Sequence, residues 1–201
     1  QLNKIGDKFM VESRATSLQK IIDSDECDAV HLVTPIPLHA KQTVAVLESG
    51  KHCACTVPMA TSIEDLRDIV AAQRKSKKNY MMMETAVYTR HFLYVKELVE
   101  KGEMGRIQFL RGAHYQDMEN WPLYWVGLPP MQYATHAVSP LLALAKTRAV
   151  RVYCFGSGVM RKELRKQYCN PYPIETAIFQ LETDNLVAEV TRSLFHTARA
   201  Y

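Results

Sequence analysis

Apolar residues in the first half of the chain fall into short β-branched runs separated by longer stretches of helical period. Ala29 to Val33 is a compact apolar run closed by Thr34-Pro35, a pattern that predicts a buried strand. His52 to Thr56 and Asn79 to Met83 predict two more strands. Between them, Pro37 to Ser49 predicts a helix with Ala40, Val44 and Leu47 on one face and Gly50 in the stop position. Thr61 followed by Glu64 is a capping box, which opens a helix running to about Ser76. Upstream, Ser17 to Ile22 reads as a short helix with Thr16 as its cap. Short buried strands alternating with helices spell a parallel, doubly wound sheet. A long helix, Arg90 to Glu100, then leads to Gly102 and Gly105.

The period changes in the second half. Ile107 to Tyr115, Val150 to Phe155, Glu175 to Thr183 and Leu186 to Thr197 alternate as strands do, and Thr183-Asp184-Asn185 fits a hairpin turn between the last two. Ala134 to Ala145 predicts a helix inserted among them. This is an α+β pattern with a mostly antiparallel sheet. The change of character near Glu84 to Arg90 divides the chain into 1–86 and 87–201.

A hydrophobic content of 47% and a charged content of 23% are ordinary for a soluble globular protein. No apolar run approaches the ~20 residues of a membrane span, and Gln1 to Lys8 has no signal-peptide core. The net charge of +4 is modest. Arg161, Lys162, Arg165 and Lys166 make one dense basic cluster, which reads as a solvated helix face and not a nucleic-acid site. Five cysteines form an odd count without framework spacing. Cys53 and Cys55 share one face of a strand as small buried apolar residues, and no metal site is expected. Reduced thiols and a cytoplasmic location are the default for such a chain.

Two segments carry a resemblance. D-A-V-H-L-V-T-P-I-P-L-H-A (Asp28 to Ala40) and K-H-C-A-C-T-V-P-M-A-T (Lys51 to Thr61) resemble the Gfo/Idh/MocA family of NAD(P)-dependent sugar oxidoreductases. The resemblance runs from about Ala15 to Tyr201 and aligns with the middle of a family member. It implies that 1–86 is the C-terminal half of a Rossmann-like dinucleotide-binding domain, for NAD or NADP, and that 87–201 is a partial domain for substrate and oligomerisation. None of the eight glycines makes the G-x-G-x-x-G phosphate loop, and Gly156-Ser157-Gly158 reads as a turn. A longer parent protein is therefore expected.

The family's second segment usually reads E-K-P, with its lysine beside the nicotinamide. Here these positions are Thr56, Val57 and Pro58, so that lysine is absent. Val57-Pro58 is similar to the E-V-P of a related branch, the NAD-dependent glycosidases. The resemblance gives Thr34, Pro35, His39, Thr56 and Pro58 to the cofactor side, and places Glu84 near the nicotinamide ribose. His39 opens a helix, so capping or packing that helix is an equal alternative for it.

Tyr133-Ala134-Thr135-His136 is the sharpest chemical cluster. Histidine is the natural proton carrier near neutral pH, and a three-residue spacing puts Tyr133 and His136 on one helical turn. The glycosidase branch has Tyr-Pro-Thr-His here, and a Tyr at the position of Tyr88. His136 is thus the expected acid–base group, with Tyr133 and Tyr88 assisting; Tyr88 could equally be a packing residue. His114, Tyr115 and Asp117, with Trp121, Tyr124 and Trp125, suit a sugar ring or ordinary loop packing.

Three functions follow from this reading. The first is an NAD(P)-dependent oxidoreductase acting on a sugar or polyol. The second is a redox-neutral glycosidase or lyase, and the third a non-catalytic binding or scaffolding relative. Ile178, Phe179, Leu181, Val187, Val190 and Leu194 put apolar surface on both faces of the final hairpin, which predicts a homo-oligomer through the sheet domain.

Overall fold

A computed structural model describes residues 1–183 and 185–200, the last four of these by backbone alone. The middle residue of the expected hairpin turn, Asp184, lies outside the described residues. Two compact units divide the chain, Gln1–Met82 and Met83–Tyr201.

In the first unit, α1 (Leu2–Lys8) and α2 (Leu18–Ile22) precede β1 (Ala29–Leu32). A 3-10 turn, Ile36–Leu38, leads into α3 (His39–Glu48), then β2 (His52–Thr56), α4 (Ile63–Ser76) and β3 (Tyr80–Met83). The strands lie in the order β1-β2-β3, with β1 and β2 parallel and Val30 opposite Cys53. Val30, Leu32, Cys53 and Cys55 bury one side of these strands against Val46, Leu47 and Ala72. Burial pushes the Cys55 thiol up to about 11, which leaves it an inert packing group.

Both expected helix caps sit one residue further on. Ser62, with extended backbone, accepts from Asp65 N–H at 3.1 Å, so Thr61 is not the cap. Ser17 likewise accepts from Lys20 N–H in place of Thr16. In α3 the buried stripe is His39, Thr43, Val46 and Leu47, with Ala40 and Val44 only partly covered. The face is set by its partners: His39 bonds to Thr34 O and Pro58 O, and Val46 and Leu47 pack on the strands.

In the second unit, α5 (Arg90–Glu100) is followed by β4 (Leu110–Asp117), a short α6 (Leu123–Val126) and α7 (Thr135–Ala145). Four strands follow: β5 (Ala149–Ser157), β6 (Ile174–Leu181), β7 (Val187–Ser193) and β8 (Phe195–Ala200). The sheet order is β5-β6-β7-β4-β8. Three of its pairings are antiparallel, and β4 and β7 run parallel.

The stretch expected as one strand from Leu186 to Thr197 is two, broken at Leu194. There the backbone leaves the ladder to bond Pro173 O and Met118 N–H, while the Leu194 side chain packs among Met118, Val126 and Met160. The chain then pairs with β4 on its other side.

Helix α7 lies on this sheet through Ala137 and Leu141, which pack with Leu110, Ala188 and Val190. Gly112 of β4 makes that approach possible, because a Cβ there would stand 2.7 Å from Ala137 O. Among the described residues, no helix is long and apolar enough to cross a membrane.

Candidate active site

The sequence Leu128-Pro129-Pro130 prepares the entry to α7. Proline fixes φ near the helical value, and a 3-10 turn, Pro130–Tyr133, delivers Tyr133 just before the helix. His136 sits in the first turn of α7. Its Nδ1 lies 2.6 Å from Glu84 Oε1, and its Nε2 lies 3.2 Å from the Tyr133 hydroxyl. A carboxylate can only accept, so the bond to Glu84 puts a proton on Nδ1. In the neutral ring, Nε2 is then the acceptor and the Tyr133 hydroxyl donates to it. Spacing anticipated the meeting of Tyr133 and His136. Nothing local pointed to Glu84 as their partner.

Glu84 directly follows β3 and is buried. Its Oε1 also accepts from Ala86 N–H at 2.8 Å. Burial alone would raise its pKa. The hydrogen bonds from His136 and Ala86 and the neighbouring imidazole charge outweigh that cost, and the carboxyl is held below the usual range.

Beneath this line lies His114 of β4, fully buried, its ring 5.8 Å from Tyr133 and 5.2 Å from His136. Burial pushes its pKa down to about 3, helped by the charge of Arg192 and by His136, so the ring is neutral at ordinary pH. The sequence offered His114 to a sugar ring or to ordinary loop packing, and the fold sets it under the Tyr133–His136 pair. Trp125 meets the Tyr133 ring edge-on at 4.7 Å, and Trp121 meets Trp125 at 5.8 Å. The aromatic run thus forms a wall on one side of Tyr133. Tyr88 lies on the turn Ala86–Tyr88 with an exposed side chain, and is not among the groups that meet His136. A cavity of about 640 Å³ opens beside His136, with Ala86, His91, Arg111, Tyr115 and Pro140 among its walls.

In the first unit, the candidate cofactor residues stand at the C-terminal ends of β1 and β2. Thr34 is half-buried and donates from Oγ1 to Gln42 Oε1 at 2.6 Å. His39 is buried, with Nδ1 2.7 Å from Pro58 O and Nε2 2.8 Å from Thr34 O. Thr56 Oγ1 stands 3.5 Å from the same Nε2. Pro35 is exposed, Pro58 and Val57 are buried, and the bond between Val57 and Pro58 is cis. The hydroxyls of Thr34 and Thr56 at strand ends fit a ribose of a dinucleotide. No glycine cradle for its phosphates occurs in these 201 residues. Among the described residues, no group of three or more His, Cys, Asp or Glu could hold a metal ion.

Comparison with known proteins gives consistent matches. Residues 1–84 match the model described as "Oxidoreductase family, NAD-binding Rossmann fold". A "Glycosyl hydrolase family 109 protein 1" from Bacteroides thetaiotaomicron is 30% identical over 108 residues, which are 53% of this chain and 23% of that protein. A probable dehydrogenase from Thermotoga maritima superposes with a TM-score of 0.83 at 18% identity, over 97% of this chain and 59% of that one. A scyllo-inositol dehydrogenase from Lactobacillus casei, solved with bound NAD(H) and scyllo-inositol, gives 0.79 at 18% identity, over 96% and 58%. At such identities the superpositions show the fold alone. The chain spans under a quarter of the first relative's length and about three fifths of these solved structures. Residues 1–84 are thus similar to the Gfo/Idh/MocA oxidoreductase family, whose model describes an NAD-binding Rossmann fold.

Proposed function

We propose that this chain is the central portion of an NAD(P)-dependent oxidoreductase acting on a sugar or polyol, with His136 as its acid–base group. The line Glu84–His136–Tyr133 carries the reading. Glu84 holds the Nδ1 proton and leaves Nε2 basic toward the side where Tyr133 stands. A substrate hydroxyl there gives its proton to Nε2, and the Glu84 carboxylate stabilises the imidazolium that forms. A bound nicotinamide would supply the hydride acceptor for this oxidation. In the first unit Thr34, Pro35, Thr56 and Pro58 would serve the cofactor, with His39 fixing the loops; in the second unit Glu84 would serve it, and Tyr133 and Tyr88 would assist at the substrate side. The aromatic wall beside Tyr133 suits the C–H face of a sugar ring.

A second reading is favoured by Val57, which cannot carry a proton where the family has lysine, and by the glycosyl hydrolase names of the relatives. In a redox-neutral glycosidase or lyase a bound nicotinamide would supply a transient hydride acceptor at a sugar hydroxyl. The adjacent C–H would then be acidic enough to lose its proton to a base as the leaving group departs, and in the glycosidase water would add to the resulting double bond before the same hydride is given back to the carbonyl.

Turnover of polyols and aryl glycosides by the parent protein with NAD(P) separates these. Net NAD(P)H from a polyol marks the first reading. Release of the aryl group without net NAD(P)H marks the second. Cofactor binding without either marks a non-catalytic relative. Replacing His136 with Ala should lower turnover by about 10²–10⁴-fold; unchanged turnover in a folded variant removes His136 from the chemistry.

The reading extends to location and assembly. Five free cysteines support a reducing, cytoplasmic setting. Homo-oligomerisation through the sheet domain is supported by Val150, Val152, Tyr153 and Phe155 on edge strand β5, all exposed. A monomer by light scattering at high micromolar concentration would count against it.

A further inference from the structure

Three ionisable residues stand in register across β6, β7 and β4. Glu175 is opposite Arg192, and Arg192 is opposite His114. Residues directly opposite one another share a face of the sheet. All three address one short segment, the turn that carries Tyr133. Glu175 Oε2 accepts from Met131 N–H at 2.7 Å. Arg192 Nε donates to Tyr133 O at 3.1 Å. The His114 ring tilts against the Tyr133 ring. Side chains from the sheet thus grip this turn by one of its donors and one of its acceptors.

Arg192 is the centre of the grip. It is fully buried, where a charge is costly unless its donors are satisfied. Nη1 donates to His114 O at 3.0 Å and to Ser193 O, and Nη2 to Gln116 Oε1 at 2.6 Å and Met118 Sδ at 3.5 Å. With Tyr133 O, these acceptors match the five N–H groups of a guanidinium. The guanidinium carbon also lies 5.7 Å from the Tyr133 ring centre. Lysine has a single flexible ammonium and cannot reproduce such a fork.

We propose that Arg192 is a positioning residue for the acid–base site: by fixing the main chain at Tyr133 it sets the Tyr133 hydroxyl on His136 Nε2, with Glu175 as the second anchor. The proposal rests on the reading that His136 carries the proton. Arg192 touches no reacting group in it. Its effect is geometric, and a displacement of about 1 Å at a reacting group can cost about 100-fold in rate.

The test uses this chain and needs no turnover. Arg192→Lys, Arg192→Met and Glu175→Gln are made, and their folding is checked by circular dichroism and thermal melting. Histidine side-chain NMR then follows the His136 ring-nitrogen shifts and the contact between the Tyr133 hydroxyl and His136. Arg192→Lys keeps the charge and loses the fork, so a change in it reports geometry and not the field on His136, Glu84 or His114. Loss of the Tyr133–His136 contact and altered His136 ring-nitrogen shifts are expected in Arg192→Lys and Arg192→Met. Glu175→Gln keeps an acceptor for Met131 N–H and should leave both unchanged. A folded Arg192→Lys with an unaltered His136 signature overturns the proposal. So does failure of both Arg192 variants to fold, which would make Arg192 a determinant of the fold. Undiminished turnover in His136→Ala would sink the acid–base reading separately, and the NMR result on Arg192 would still stand.

Discussion

His136 Nδ1 and Glu84 Oε1 lie 2.6 Å apart although fifty-two positions separate them in the chain. One comes from the first turn of a helix and the other from the residue after a strand. The bond therefore stabilises the second unit as well as orienting the imidazole.

Replacing Glu84 with Ala should cost about 1.5–3 kcal/mol, the range for a hydrogen bond to a charged group. The cost should depend on pH in a definite sense. The folded-state constant of Glu84 is lowered from 4.5, so its contribution is complete above that value and is lost as pH falls through the lowered one. Urea midpoints of wild type and variant should converge in acid. A constant gap from pH 7 down to strong acid would contradict the assignment.

His114 predicts a second window. Its folded constant is depressed from 6.5 to about 3. The unfolded chain then binds the extra proton, and stability drains away as pH falls from about 6.5 toward about 3. His114→Gln should flatten the profile between pH 4.5 and 6.5, above the range in which Glu84 titrates, and leave the Glu84 slope below it. If the slope between pH 4.5 and 6.5 survives the substitution, another group is responsible.

Gly112→Ala should destabilise the second unit by about 1–3 kcal/mol, as overpacking does. The new methyl would meet the backbone oxygen of Ala137 at 2.7 Å and Leu141 Cδ1 at 3.2 Å. Backbone cannot rotate aside, so α7 has to shift, and His136 with it. Thermal melting and the His136 NMR signal should change together. A stable variant with an unmoved His136 would show that α7 docks less closely than described.

The helix caps give a clean contrast. Ser62→Ala should lower stability by about 1 kcal/mol, and Thr61→Ala should change it little. Denaturant titration of the pair decides which residue caps α4; equal effects would return the cap to Thr61.

Local signals were readable in the sequence where local forces decide. The bounds of β2 and α5 follow the hydrophobic pattern, whereas Tyr133 and His136 meet across the junction of a 3-10 turn and α7 and not within the one helical turn expected from their spacing. The caps were displaced by one residue because Thr61-Ser62 offers two neighbouring hydroxyls, and only the backbone conformation chooses between them. The break at Leu194 was hidden, because Pro173 and Met118, which draw its backbone away, are remote in sequence. Arg192 left a signal that went unused: at period two it falls in line with Ala188 and Val190, the buried side of β7. A charge on a buried stripe is a cue that something polar waits beneath. Glu84 left no such cue toward His136, because pairing across fifty-two residues is decided by topology.

His39 carries one more consequence. Its ring nitrogens both face main-chain oxygens, of Thr34 and Pro58. Such a side chain behaves as a stitch between two loops, and no edge of it is spare for chemistry. The two loops become mechanically one object: slack introduced in either is transmitted to the other. Amide exchange should therefore rise in step in both loops when the stitch is cut by His39→Ala, even though His39 and Pro58 are nineteen positions apart in sequence.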